Sequence, residues 1–93
     1  MESKEQTALK IIDRHKQYLT EQDYQVSNPV RNEFSYQVFV SDKKDKVSLL
    51  VFFGKKGNKI VLQGNKELRL YKNINNLIFG EKYFDYAKLE DEN

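Results

Sequence analysis

Between Phe34 and Phe53 the chain alternates at period two on both sides of a short polar break, and this restricts its middle to paired strands. Phe34, Tyr36, Val38 and Val40 interleave with Ser35, Gln37, Phe39 and Ser41. After Asp42-Lys43-Lys44-Asp45, Val47, Leu49, Val51 and Phe53 interleave with Ser48, Leu50 and Phe52. Successive side chains of an extended strand point to opposite faces, so each set lies on one face. With Lys43-Lys44 as a two-residue turn, Val40 faces Val47, Val38 faces Leu49, Tyr36 faces Val51 and Phe34 faces Phe53, and one face becomes apolar throughout. A second turn through Lys56-Gly57 predicts Val51 opposite Leu62 and Phe53 opposite Ile60. Three strands then share an apolar face that must be covered.

Helices at the two ends of the chain can supply the cover. Ser3 and Gln6 have the spacing of a capping box, in which each side chain satisfies the other's orphan backbone N–H. Ala8, Leu9, Ile11, Ile12, Tyr18 and Leu19 follow at helical spacing, with Lys10, Arg14 and Gln17 turned to solvent, which predicts a helix over 4–21. A short strand around Tyr24 to Ser27 comes next, closed by Asn28-Pro29, where the proline lacks a donor. Asn65 to Lys72 is ambiguous between a fourth strand using Leu68 and Leu70 and a helix start, since Leu70, Ile74, Leu77 and Ile78 have helical spacing; an irregular or extended Asn65 to Tyr71 followed by a helix is favoured, with Gly80 placed to end it in a left-handed conformation. Tyr83, Phe84, Tyr86, Ala87 and Leu89 form a further helical pattern, and Glu90 to Asn93 an acidic tail. The fold class expected is α+β: an antiparallel β-meander with amino- and carboxy-terminal helices on one face.

Ninety-three residues bury only about 60 to 65% of their unfolded surface and supply one core, hence one domain over 1–93. The hydrophobic fraction of 39%, with six Phe and six Tyr, is enough for that core, while 32% charged residues and a mean hydropathy of -0.79 give a hydrated exterior. No cysteine is present, which excludes disulfides and thiolate metal sites. The apolar run Leu49 to Phe53 is far too short to span a bilayer, and no secretory leader opens the sequence. The expectation is a cytoplasmic protein, with bacterial or phage origin suggested by its richness in Lys, Asn and Ile.

Catalysis finds little to work with. The single histidine, His15, borders the apolar stripe of the first helix, where a packed structural role is the ordinary reading, and one His without Cys makes a poor metal site. Asp42 and Asp45 flank a turn. Nothing in the sequence predicts a Ser or Thr held beside a base. Lys55-Lys56-Gly57-Asn58-Lys59 lacks the spacing and following helix of a phosphate loop. The sequence therefore predicts no enzyme, no cofactor and no metal.

Charge distribution is more informative than the net value of +2. Residues 1–42 hold five Lys/Arg against seven Asp/Glu, residues 43–72 nine against two, and residues 73–93 two against five, giving -2, +7 and -3. Lys43, Lys44 and Lys46 belong to one end of the meander and Lys55, Lys56 and Lys59 to the other, so lysines rim the sheet on two sides. They can track a phosphate backbone, with Phe39 and Phe52 available for stacking and Gln37 and Gln63 for hydrogen bonds. Lysines at turns also keep any hairpin soluble. The second face, with Phe39, Leu50, Phe52 and Val61 set among Ser and Gln, suits a surface covered by a protein partner or a second copy; an ordinary solvent face, or one covered by the chain's own tail, has the same composition.

The stretch Gly54-Lys55-Lys56-Gly57-Asn58-Lys59-Ile60-Val61-Leu62-Gln63-Gly64, continuing to Leu70-Tyr71-Lys72, resembles the small TBP-like (helix-grip) domains. These stand in the amino-terminal region of RNase LS-type toxins and of the third type of bacterial ribonuclease H. The shared feature is an apolar-x-apolar-Gln-Gly step after a Gly-Lys turn, here Ile60 to Gly64, with Tyr71-Lys72 similar to a Tyr-basic pair of the toxin modules. The likeness spans about residues 5–79. It implies a curved antiparallel sheet with helices on its convex face and a module that grips nucleic acid without catalytic residues, or, as in the toxins, one that serves regulation and protein contacts. Two functions follow as expectations: a non-catalytic binder of structured RNA or an RNA:DNA hybrid, or an interaction or dimerisation module of a toxin, antitoxin or phage-defence system.

Overall fold

The computed structural model describes residues 3–55 and 57–80. In chain order these form α1 (Lys4–Glu21), β1 (Gln25–Val26), β2 (Val30–Arg31), β3 (Ser35–Ser41), β4 (Lys46–Gly54), β5 (Gly57–Gln63) and α2 (Arg69–Phe79). The five strands make one open antiparallel sheet in the order β1-β3-β4-β5, with β2 also paired to β3. The architecture is α+β.

The capping box sets the start of α1: Gln6 N–H donates to Ser3 Oγ (3.1 Å) and Ser3 N–H to Gln6 Oε1 (3.0 Å). A Schellman motif ends it, with Tyr24 N–H bonded to Leu19 O and Asp23 N–H to Thr20 O, both at 3.1 Å. Asp23 holds the left-handed position that this motif requires (φ 71°). Between these caps, Ala8, Ile11, Ile12 and Leu19 pack on Val38, Val40, Val47, Leu49, Val51 and Leu62 of the sheet, joined by Leu70, Ile74 and Ile78 of α2. Both helices thus cover the same face. Each buried Val, Leu or Ile contributes about 1.5–3 kcal/mol relative to exposure.

The first hairpin has the expected register, Val40↔Val47, Val38↔Leu49 and Tyr36↔Val51. Asp42 is the reason for the turn: its Oδ1 accepts the N–H groups of Asp45 (2.7 Å) and Lys44 (2.8 Å). These bonds, that from Asp45 first, hold its carboxyl below the usual carboxylate range.

The edge beside β3 is one strand broken by a bulge. Gln25 and Val26 pair with Ser41 and Val40, Val30 and Arg31 with Gln37 and Tyr36. Three residues, Ser27, Asn28 and Pro29, therefore lie opposite two, Val38 and Phe39. Ser27 bridges the gap, its N–H donating to Phe39 O (2.9 Å) and its Oγ accepting Phe39 N–H (2.8 Å). One extra residue inverts the facing of everything after it. Val26 joins the core, whereas Val30 shares the uncovered face with Gln37 and Arg31 shares the helix-covered face with Tyr36.

Four expectations need correction. In the second hairpin Gly54 pairs with Gly57, Val51 with Ile60 and Leu49 with Leu62, two residues from the expected register. Gly57 is not in the turn but opens β5 at φ 106°, which side-chain-bearing residues rarely adopt. Phe34 does not extend the covered face: it sits in the β2–β3 turn that Asn32 N–H closes on Ser35 O (2.7 Å), its carbonyl accepts Phe53 N–H, and its side chain is 62% exposed. The second helix begins at Arg69, before Tyr71, because Asn65 folds the preceding residues into a turn, accepting Glu67 N–H on its side chain and Leu68 N–H on its carbonyl. Gly80 follows that helix in extended backbone (φ -82°, ψ 180°), not left-handed; a Cβ there would collide with the Asn76 carbonyl. The expected pattern from Tyr83 to Leu89 and the tail after it lie outside the described residues.

Candidate functional site

The face of the sheet away from the helices is the surface that the sequence singled out, and strand pairing fixes its layout. From the Asp42–Asp45 turn to the second hairpin it runs in cross-strand rungs: Ser41 beside Lys46; Phe39, Ser48 and Gln63; Gln37, Leu50 and Val61; then Ser35, Phe52 and Lys59. Gln25 and Val30 extend it at the edge. No carboxylate is among these residues, and both charged ones are lysines.

Most of the expected site residues are brought together here. Lys46 and Lys59 are exposed at opposite corners, Lys43 and Lys44 are exposed in the first turn and Lys55 in the second. Lys56 lies outside the described residues. The Lys46 ammonium stands over the Phe39 ring, 5.6 Å from its centroid, and Lys59 is the direct cross-strand neighbour of Phe52. Phe39, Phe52 and Val61 are half-buried and Gln63 is exposed. Leu50, in the central strand between Gln37 and Val61, is only 7% exposed, so it has little surface left to offer.

Sequence reasoning missed Asn32. Its Nδ2 donates to Gln37 Oε1 and to Ser35 Oγ, both at 3.0 Å, which fixes the Gln37 amide by its oxygen. The signal available was an Asn in the polar stretch Arg31-Asn32-Glu33 just before the alternating run, a position where side-chain bonds to neighbouring turn residues are common.

The covered face holds no comparable chemistry. His15 is fully buried, and its Nδ1 lies 2.6 Å from Ile11 O; a carbonyl only accepts, so Nδ1 carries the proton. Burial lowers its pKa to about 4 against the raising effect of that bond, and the ring is neutral at pH 7. Glu5, Arg31 and Tyr36 form a polar clasp between α1 and the edge strand. Among the described residues no three His, Cys, Asp or Glu side chains are grouped to hold a metal, and no helix is long and apolar enough to cross a membrane.

No family model, curated protein or solved structure matches the chain.

Proposed function

We propose that this chain is a non-catalytic nucleic-acid-binding module that receives its ligand on the open sheet face. The observation that carries the reading is the composition of that face: Lys46 and Lys59, two half-buried aromatic rings and no carboxylate in its cross-strand rungs; the first turn adds Lys43 and Lys44 against Asp42 and Asp45, and the second adds Lys55. Phosphate contacts by Lys supply affinity through counterion release, and aromatic rings supply stacking. Lys46 already occupies the Phe39 ring, but an exposed cation–π contact contributes about 0.5–1 kcal/mol against about 1–3 kcal/mol for a stacked base. A base therefore displaces the ammonium, which gains a phosphate in exchange.

The competing occupant, a second copy or a protein partner, is less favoured by the same face. With Leu50 already buried, the apolar groups on offer are Phe39, Phe52, Val61 and the edge residue Val30, with Phe34 in the adjoining turn; Gln37, Ser48 and Gln63 stand between them, which breaks up the apolar centre that a stable interface needs. The TBP-like relationship belongs to this proposal too; its support is the likeness of Ile60 to Gly64, together with helices gathered on one face of an antiparallel sheet.

Fluorescence anisotropy with labelled RNA, DNA and RNA:DNA hybrid over a range of salt tests the reading. Binding is expected to weaken with salt with a log–log slope of about -2 to -3.5, for three to five phosphate contacts at about 0.7 each. Lys46→Glu and Lys59→Glu should each weaken it, and Lys72→Glu, on α2, should not. Absence of binding to every nucleic acid at low salt sinks the proposal, and a dimer in sedimentation that Phe52→Glu dissolves favours the competing occupant.

A further inference from the structure

Each aromatic ring of the open face has its own lysine: Lys46 over Phe39, and Lys59 directly across from Phe52. The two pairs are well separated. Phe39 faces Ser48, and Phe52 lies four residues further along the same strand, about 13 Å at 3.3–3.4 Å per residue. Between them stands Gln37, its side-chain Oε1 accepting a hydrogen bond from Asn32 Nδ2 at 3.0 Å.

A phenyl ring stacks only on a base whose own face is free. In a duplex, each base face is covered by its neighbours and only edges and phosphates are presented, so the rings have nothing to bind. The separation also exceeds by several times the rise of about 3.4 Å between stacked bases of one duplex strand. Bases resting on the two rings cannot belong to one regular stack, and the nucleotides between them pass over Gln37. From this spacing we infer that the open face takes an unpaired strand in preference to a duplex or a hybrid, with a base on Phe39, a base on Phe52 and the neighbouring phosphates on Lys46 and Lys59. The inference rests on nucleic-acid binding at this face and names its substrate class. RNA and DNA share the chemistry invoked, which is a free base face beside a phosphate.

The test is anisotropy of the full chain with one short, non-self-complementary labelled strand, prepared as RNA and as DNA, and with the RNA strand annealed to RNA and to DNA complements. Both unpaired strands, or one of them, should bind about tenfold or more tightly than the annealed forms, the ratio expected from one or two stacked bases. Phe39→Leu and Phe52→Leu keep apolar bulk and, by circular dichroism, the fold, and each should weaken the unpaired strand about tenfold without changing the annealed forms. Annealed forms binding as tightly as the unpaired strands, or leucine variants binding unpaired strand like the parent, overturn the inference while nucleic-acid binding stands. No binding in any arm removes both.

Discussion

Arg31 grips Glu5 with a two-pronged contact, Nε to Oε2 at 3.0 Å and the terminal NH2 nitrogen to Oε1 at 2.9 Å, and so ties the first turn of α1 to the edge of the sheet. Tyr36 Oη donates to the same carboxylate at 3.1 Å, and the guanidinium lies 5.4 Å from the Phe53 ring centroid. This geometry suits Arg and not Lys, because only the planar fork meets both carboxylate oxygens at once.

The bond from Arg31 holds the Glu5 carboxyl below the usual carboxylate range, helped by the bond from Tyr36. A lowered folded-state pKa contributes stability above the unfolded value of the group, lost as pH falls through the folded value. Carbon-detected NMR titration should place the Glu5 midpoint below those of exposed glutamates, and Arg31→Gln should return it to their range. A Glu5 midpoint unchanged by that substitution contradicts the clasp.

His15 gives acid sensitivity of the same sign in a higher pH window. Its folded pKa is about 4 and its unfolded value about 6.5, so between these the unfolded chain binds a proton that the native protein refuses. Stability is full above about pH 6.5 and declines as the pH falls toward 4, by about 2 kcal/mol at pH 5. Urea unfolding at pH 7.5 and 5 measures this difference, and His15→Leu should flatten most of it.

Gly64, just after β5, has φ 156° and lies so close to β4 that a Cβ would stand 2.9 Å from Val47 Cγ1 and 3.3 Å from Val47 Cβ. Gly64→Ala should cost about 1–3 kcal/mol from crowding and backbone strain. Adding Val47→Ala relieves the crowding but not the dihedral, so in a double-mutant cycle the two substitutions should be coupled, with an interaction of about 0.5 kcal/mol or more. Additive effects would contradict the contact.

The parts of this fold that were legible in the sequence are those fixed by local chemistry. Ser3 and Gln6 mark the helix start because their bonds span three residues. Val38 and Leu49 find each other because Asp42 defines the turn between two alternating runs. In the second hairpin alternation stops being informative: the observed pairing of Gly54 with Gly57 and the one expected from a Lys56-Gly57 turn both place Leu49, Val51, Ile60 and Leu62 on the covered face, since registers two residues apart have the same parity. Alternation settles the face and not the partner. Phe34 continued the alternation yet belongs to a turn, because apolar spacing carries no signal for where pairing stops. Of the site, Phe39, Phe52, Lys46 and Lys59 were readable from parity alone. Asn32 and the contact of Arg31 with Glu5, twenty-six residues apart, were not, because both depend on how the edge strand is threaded past β3.

That threading hangs on the bulge at Ser27, Asn28 and Pro29. The bulge acts as a sorting device: were the same residues paired one to one with β3, Val30 would fall opposite Tyr36 and Arg31 opposite Ser35, adding a cation to the open side and leaving Glu5 without its clasp. The division of charge between the two sides of this sheet is therefore set by the bulge of a three-residue segment at its edge, and not by any side chain of the hairpin core.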